Sequence, residues 1–129
     1  MRQSPLLVFE SQAFADPEGT DNETNPGIFG KTLANWLSEQ LKSLGSTPGE
    51  VIAEDFGWCV PLGGKRLYVA CSSGEATNEW QVFVFAEGGF LSRLFGKHQS
   101  SEALISTFAA LKGLLEQSSQ VRGLREDAA

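Results

Sequence analysis

The residues best suited to chemistry are two adjacent carboxylates, Glu54 and Asp55, which precede Phe56, Gly57 and Trp58. Carboxylates act as general acids, as general bases and as ligands of divalent cations. A cation site needs several convergent oxygen ligands, and only these two stand together in the sequence. A structural or capping role is therefore favoured, with Gly57 marking a bulge or a close approach to another backbone. No metal ligand and no cofactor are predicted.

His98 is the only histidine in the chain, so a Ser–His–Asp or Cys–His triad would have to use it. It stands in a segment rich in Gly and Lys, just before a predicted helix, where the positive end of the helix dipole opposes its protonation. We therefore predict no catalytic residue. A small hydrolase or metal-dependent enzyme that uses Glu54, Asp55 and His98 is kept as an alternative. It requires these side chains to converge in one pocket.

The loop at residues 15–27 is rich in acids, Pro, Gly and Asn. Asp16, Glu18 and Thr20 pass at the first three ligand positions of an EF-hand. However, Asp21 stands where a calcium loop requires Gly, and Gly27 stands where it requires a bidentate Glu. Calcium binding is therefore not predicted. A solvated loop is the simpler interpretation, and an acidic patch for a basic partner is the alternative.

The net charge of −6 is unevenly distributed, because residues 10–55 hold nine acids and two bases whereas residues 56–129 hold seven of each. Phosphate backbones and anionic membrane surfaces repel such a chain, so neither nucleic acid nor a membrane is predicted as a partner. No apolar run approaches the roughly 20 residues of a membrane span. With no visible secretory signal, the predicted location is cytoplasmic.

Two amphipathic helices are predicted from apolar residues at helical spacing. The first spans about residues 28–44 and ends at Gly45, a residue type favoured just after a helix. The second spans about residues 101–120, with Ser100 or Ser101 as its N-cap. Their apolar faces carry Leu33, Trp36, Leu37, Leu41 and Leu44 in the first helix and Leu104, Phe108, Leu111 and Leu115 in the second.

Strands are predicted from apolar and alternating runs at residues 5–10, 51–61, 65–72 and 79–87. The fold class is therefore α+β, with an antiparallel sheet of four or more strands packed against two amphipathic helices in the order β-α-β-β-β-α. The length of the chain is that of about one domain. Residues 1–120 are assigned to this single domain and residues 121–129 to a frayed C-terminal tail.

The diglycine Gly63–Gly64 suits a two-residue hairpin turn. Such a turn places Trp58 opposite Val69 and sorts the bulky apolar side chains to one face of the sheet, which the helices would cover. Cys71 then lies on that face and Cys59 on the other. Side chains on opposite faces cannot form an unstrained disulfide, so two free thiols and a reducing compartment are predicted.

The other face of the predicted sheet is too apolar to be left in water. It would carry Cys59, Tyr68, Ala70, Phe83 and Phe85, together with Arg66 and Gln81. An exposed apolar patch above roughly a few hundred Å² usually marks a binding or oligomer surface. Cover by the N-terminal strand, by residues 88–99 or by one helix is an equally open interpretation.

These features predict a non-enzymatic protein-interaction module, of which an immunity-type or regulatory binding protein is one form. Its partner would be another protein or a second copy of the chain. The interaction candidates are Tyr68, Phe83, Phe85, Glu54 and Asp55. A further alternative is a small-molecule binder with an aromatic-lined pocket near Trp58 and Trp80, although core packing of the two indoles is favoured over it.

Several strings of the sequence resemble those of a set of small bacterial proteins of uncharacterised function. The strings are Asn25–Gly30, Leu33–Leu37, Glu54–Cys59 and Arg93–Gly96. Members of that set carry an NPG-x-x-G-x-x-LA-x-WL helix, an EDxGW strand entrance, a short aromatic strand that ends near a Cys, and a late Arg-Leu-Phe-Gly. The resemblance spans about residues 22–97. It implies a bacterial, cytoplasmic, single-domain protein and implies no activity.

Overall fold

A computed structural model of the chain describes residues 3–63, 66–86 and 97–128, and the side chains of residues 97–101 fall outside that description. The fold is α+β, with a six-stranded antiparallel sheet and two long helices. In chain order the elements are β1 (Leu6–Glu10), α1 (Lys31–Ser43), β2 (Ile52–Glu54), β3 (Gly57–Leu62), β4 (Leu67–Ser73), β5 (Glu79–Ala86), α2 (Lys97–Gln117) and β6 (Arg122–Asp127).

The sheet has the strand order β2-β3-β4-β5-β1-β6, and both helices pack on one face of it. Helix α1 lies against β3 and β4, and α2 lies against β5. The core between them is apolar, and each fully buried Leu or Val contributes about 1.5–3 kcal/mol to folding. Its members include Leu7, Leu33, Leu37, Leu41, Trp58, Val60, Val69, Cys71, Val82, Val84, Leu104, Leu111 and Leu115. We call this side of the sheet the helix face.

The C-terminal end of α1 confirms the predicted role of Gly45. Gly45 has φ 91°, and its N–H donates to the Lys42 carbonyl at 3.0 Å while the Ser46 N–H donates to the Leu41 carbonyl at 3.0 Å. This pair of hydrogen bonds is a Schellman motif, which satisfies carbonyls that the end of a helix leaves without partners. Leu44 lies outside the buried stripe and is 56% exposed.

The second helix differs from its prediction at the N-terminus. It begins at Lys97 rather than near residue 101. Ser100 and Ser101 therefore lie inside the helix, and neither is its N-cap. The predicted apolar stripe is confirmed in the core, where Leu104, Leu111 and Leu115 are buried, and Phe108 packs against it partly exposed.

Two predictions about the strands are wrong. The strand expected at residues 51–61 is a hairpin of β2 and β3 that turns at Asp55 and Phe56, with Glu54 opposite Gly57. Residues 122–127, assigned to a frayed tail, form β6 and pair with β1. The charged sequence of β6 gives no apolar alternation, so its conformation depends on the long-range pairing with β1. The observed order is β-α-β-β-β-β-α-β.

The predicted register of β3 and β4 is also wrong, by two residues. Trp58 lies opposite Cys71 instead of Val69, and Val60 lies opposite Val69. Leu62 and Leu67 close the pairing, so the connection has four residues rather than two. A shift of two residues leaves the side chains of β3 and β4 on their predicted faces, because side chains alternate with a period of two.

Candidate functional site

The hairpin of β2 and β3 depends on Gly57. Its φ is 152°, which L side chains rarely adopt, and a Cβ there would collide with the Cys71 carbonyl oxygen and lie 2.8 Å from Ser72 Cβ. The hairpin therefore lies against the end of β4 more closely than any other residue type would allow. This is the close backbone approach expected from the sequence. It fixes the position of Asp55 and Phe56 at the tip.

Four aromatic rings cluster on the sheet face opposite the helix face. The ring of Phe56 lies 6.2 Å from that of Phe83 and 6.3 Å from that of Phe85, between centroids. Tyr68 stacks on Phe85 at 5.1 Å, and Phe83 lies 6.0 Å from Phe85. Phe83 and Phe85 belong to β5, so the Phe56 side chain reaches across the intervening strand β4. We call Phe56, Tyr68, Phe83 and Phe85 the aromatic cluster.

Small buried side chains occupy the same face as the aromatic cluster. Cys59 lies opposite Ala70, and Ala70 lies opposite Phe83. Cys59 is 2% exposed and Ala70 is fully buried. Their small size leaves space above β3 and β4 into which Phe56 can reach. Phe56 itself remains 45% exposed, and the other three rings are partly buried.

The structure therefore brings the predicted residues Tyr68, Phe83 and Phe85 together and adds Phe56 to them. A continuous strand over residues 51–61 would place Phe56 on the same face as Trp58. The turn at Asp55 and Phe56 carries its ring to the opposite face instead. Of the three covers considered for this face, the N-terminal strand is β1, within the sheet, and both helices lie on the helix face. The third cover, residues 88–99, lies mostly outside the described residues. So does Arg93, which begins the string Arg93–Gly96.

The two carboxylates lie at the edge of the aromatic cluster. Glu54 is exposed and, by strand alternation, on the same face as Cys59. Burial, together with the nearby charge of Glu54, raises the pKa of the Cys59 thiol to about 12. Asp55 is exposed at the tip. No salt bridge joins either carboxylate to a residue that the structure describes. We call the aromatic cluster with Glu54 and Asp55 the aromatic–acidic face.

The loop before α1 holds the hairpin tip in place. The Asn25 side-chain amide donates to the Asp55 carbonyl at 2.9 Å. On the neighbouring strand, the Ser73 hydroxyl donates to the Gly27 carbonyl at 3.2 Å and accepts from the Phe29 N–H at 3.1 Å. Two strings that lie far apart in the sequence, Asn25–Gly30 and Glu54–Cys59, therefore meet at the end of β4.

Asp16 caps α1 from a distance in sequence. Its carboxylate accepts hydrogen bonds from the Gly30 N–H at 2.9 Å, the Lys31 N–H at 3.0 Å and the Thr32 N–H at 2.7 Å. Partial burial raises the pKa of Asp16, but these hydrogen bonds together with the Thr32 side chain outweigh it, so the net pKa is lowered. The free N–H groups of a helix N-terminus are thereby satisfied.

A second acid of the loop also binds its own backbone. Asp21 accepts a hydrogen bond from the Gly27 N–H at 2.8 Å. Two acids of this loop, Asp16 and Asp21, therefore bind backbone N–H groups of the chain itself. The carboxylates that adjoin the aromatic cluster are Glu54 and Asp55. Within the described residues, no group of three or more His, Cys, Asp or Glu side chains is arranged to hold a metal ion.

The positions of the elements do not support the hydrolase alternative, which requires Glu54, Asp55 and His98 to converge in one pocket. His98 lies in the first turn of α2, and its side chain falls outside the described residues. Helix α2 packs on β5, whereas Glu54 lies on β2, three strands away. That separation is about 14 Å at the usual spacing of strands.

The two tryptophans of the proposed aromatic pocket belong to the core. Trp58 is 2% exposed and Trp80 is 4% exposed. The Trp80 Nε1–H donates to the Ser11 carbonyl at 3.0 Å. Trp80 and Phe29 do line an open cleft of about 370 Å³, but Trp58 does not reach it. Packing and this hydrogen bond account for the Trp80 indole, whereas the buried Trp58 Nε1–H has no hydrogen-bond partner among the described residues.

The two cysteines are free and buried. Cys71 lies on the helix face, where its Sγ donates to the Gly30 carbonyl at 3.3 Å. Burial raises the pKa of the Cys71 thiol well above its usual value, and the nearby Cys59 and Asp16 charges add to the rise. Cys59 lies on the aromatic–acidic face. The two thiols are therefore on opposite faces of the sheet, as the strand alternation predicts.

Comparison of the chain with protein-family models, with curated proteins and with solved structures finds no match. In the part of the chain that the structure describes, no helix is both long and apolar enough to cross a membrane.

Proposed function

We propose that this chain is a non-enzymatic protein-interaction module that binds a protein partner through the aromatic–acidic face. The observation that carries the proposal is the position of Phe56, which is 45% exposed while its ring adjoins Phe83 and Phe85. Two exposed carboxylates stand directly before it in the chain. An apolar surface with charge at its rim is the usual arrangement of a protein-binding site.

The energetics of such binding are favourable because the surface is already ordered. Burying the exposed part of an aromatic side chain stabilises a complex, and aromatic residues are frequent among those that dominate binding energy. Gly57 and the hydrogen bond from Asn25 to Asp55 already hold the hairpin tip. Binding therefore loses little side-chain and loop entropy at this point.

The charge of the face favours a basic partner over a second copy. Glu54 and Asp55 would attract lysine or arginine side chains and raise the rate of association. Two copies of a chain with a net charge of −6 repel each other. An immunity-type or regulatory protein that masks a basic surface is one form of this function. We also propose the bacterial origin and the cytoplasmic location that the resemblance implies.

The test is affinity capture of the tagged chain from its native cells with four matched baits. Wild type should retain a partner that is lost with Phe56→Asp and with the double variant Glu54→Lys, Asp55→Lys. Glu18→Lys is the control, because it reverses one exposed acid in the loop, away from the face. A partner that all four baits retain equally would contradict the proposal, as would the absence of any partner.

A further inference from the structure

We infer that the aromatic–acidic face is a docking surface for an arginine-bearing protein segment, whose guanidinium lies on the open side of the Phe56 ring and pairs with Glu54 and Asp55. This inference rests on the proposed function and names the chemistry of its partner. The other occupants, a lysine-bearing segment, an uncharged apolar segment and a second copy of the chain, are outcomes of the test below.

The geometry of the Phe56 ring supports a planar cation. The ring lies 6.2 Å from that of Phe83 at an interplanar angle of 38° and 6.3 Å from that of Phe85 at 76°, and both of these neighbours belong to β5. The side chain is nevertheless 45% exposed. Part of the ring surface is thus left for a ligand, and the face of an aromatic ring attracts a cation.

The carboxylates supply the complementary charge. Glu54 and Asp55 are exposed, and neither forms a salt bridge with a described residue. They stand next to Phe56 in the chain, on a hairpin tip that Gly57 and Asn25 hold. An arginine can stack on a ring and donate several hydrogen bonds to carboxylates at once. A lysine offers a point charge that cannot stack in this way.

The apolar residues of the face indicate which side chains of the partner segment lie next to the arginine. Ile52 is 42% exposed and lies opposite Cys59 on the same side of the sheet. Tyr68, Phe83 and Phe85 extend the apolar surface away from the carboxylates. A matching segment therefore carries an arginine beside one or two apolar side chains. A second copy of the chain fits poorly, because two molecules that each carry a net charge of −6 repel each other.

The experiment pans a phage-displayed library of random 12-residue peptides against the full chain. We expect the recovered peptides to be enriched in arginine next to aliphatic or aromatic residues. One recovered peptide is then synthesised in three forms, with the arginine kept, replaced by lysine, or replaced by citrulline. Titration calorimetry should show binding about tenfold weaker for lysine and weaker still for citrulline, which has the shape of arginine without its charge.

Two variants of the chain test the assignment to Phe56. Phe56→Leu keeps an apolar side chain and removes the ring, so the preference for arginine over lysine should fall toward one. Ile52→Ala is the matched control on the same face, and it should weaken all three peptides while leaving that preference unchanged. Thermal unfolding of both variants checks that the fold is intact.

The outcomes separate this inference from the proposed function. Peptides that need Phe56 but bind equally well with lysine, or without any cation, would overturn the inference and leave the function standing. Recovery of acidic peptides, or sedimentation showing that the chain associates with itself through Phe56, would overturn it too. If neither the binding of a recovered peptide nor the binding of the partner captured from cells depends on Phe56, both this inference and the proposed function fail.

Discussion

The acids of the loop before α1 and the acids of the β2–β3 hairpin have the same chemistry but different surroundings. Asp16 accepts three backbone N–H groups at the start of α1, and Asp21 accepts one from Gly27. Glu54 and Asp55 are exposed beside an aromatic cluster, and no salt bridge joins them to a described residue. The first pair stabilises the fold, and the proposed function assigns the second pair to the binding of a partner. Acidic composition alone does not distinguish the two roles.

The largest expected effect follows from a substitution that disrupts the hairpin. Gly57→Ala adds a Cβ that collides with the Cys71 carbonyl oxygen at a φ of 152°. We expect a loss of about 3 kcal/mol in the free energy of unfolding, from strain and overpacking together. Chemical denaturation measures it. Gly113→Ala in α2 is the control, because a Cβ there meets nothing within 4 Å, and it should be neutral or slightly stabilising.

Removing the loop carboxylate should have the next largest effect. Asp16→Ala leaves three N–H groups of α1 without their acceptor, which should cost about 1.5–2 kcal/mol. Glu18→Ala, an exposed acid two residues later, should leave the free energy of unfolding unchanged. Equal losses from the two substitutions would show that Asp16 is not a cap.

The contribution of Asp16 should depend on pH with a definite sign. Its pKa is lowered in the folded chain, so its contribution is complete above about pH 4, the usual pKa of an unfolded Asp, and is lost as the pH falls through the lower folded value. Wild type should therefore exceed Asp16→Asn in stability at neutral pH, and the difference should shrink as the pH falls below about 4. Denaturant titrations over this pH range measure this, and a difference independent of pH would be the contrary result.

The smallest effect on stability is expected for the hairpin acids. The double variant Glu54→Gln, Asp55→Asn should change the free energy of unfolding by no more than about 0.5 kcal/mol, since exposed side chains without partners contribute little. Binding of the captured partner should nevertheless weaken about tenfold and lose much of its dependence on salt. A large loss of stability would place these acids with Asp16 as structural residues.

The assignment of side chains to faces could be predicted from the sequence, even though the register could not. Alternation in β4 and β5 places Tyr68, Phe83 and Phe85 on one face in the predicted and in the observed register, because a slip by two residues changes no face. The length of the turn depends on contacts that no local pattern contains. Among them, the Gly63 N–H donates to the Thr47 carbonyl, which lies before β2.

Other features depend on residues that are distant in the sequence. No local pattern indicates the β2–β3 hairpin, because the apolar alternation of residues 51–61 continues through its tip. For the same reason Phe56 is not predicted to belong to the aromatic cluster. The cap on α1 comes from Asp16, well before the helix, where the usual signal is a residue immediately before the first turn. Strand β6 is charged and is defined by its pairing with β1.

The most direct test of the central claim is carbene footprinting of the chain with and without the captured partner, read out by mass spectrometry on individual side chains. The account predicts that the partner protects Phe56, Glu54 and Asp55, together with the exposed parts of Tyr68, Phe83 and Phe85. The outward surfaces of α1 and α2 should be labelled equally in both states. Protection confined to the helices, with Phe56 labelled as strongly as in the free chain, would contradict it.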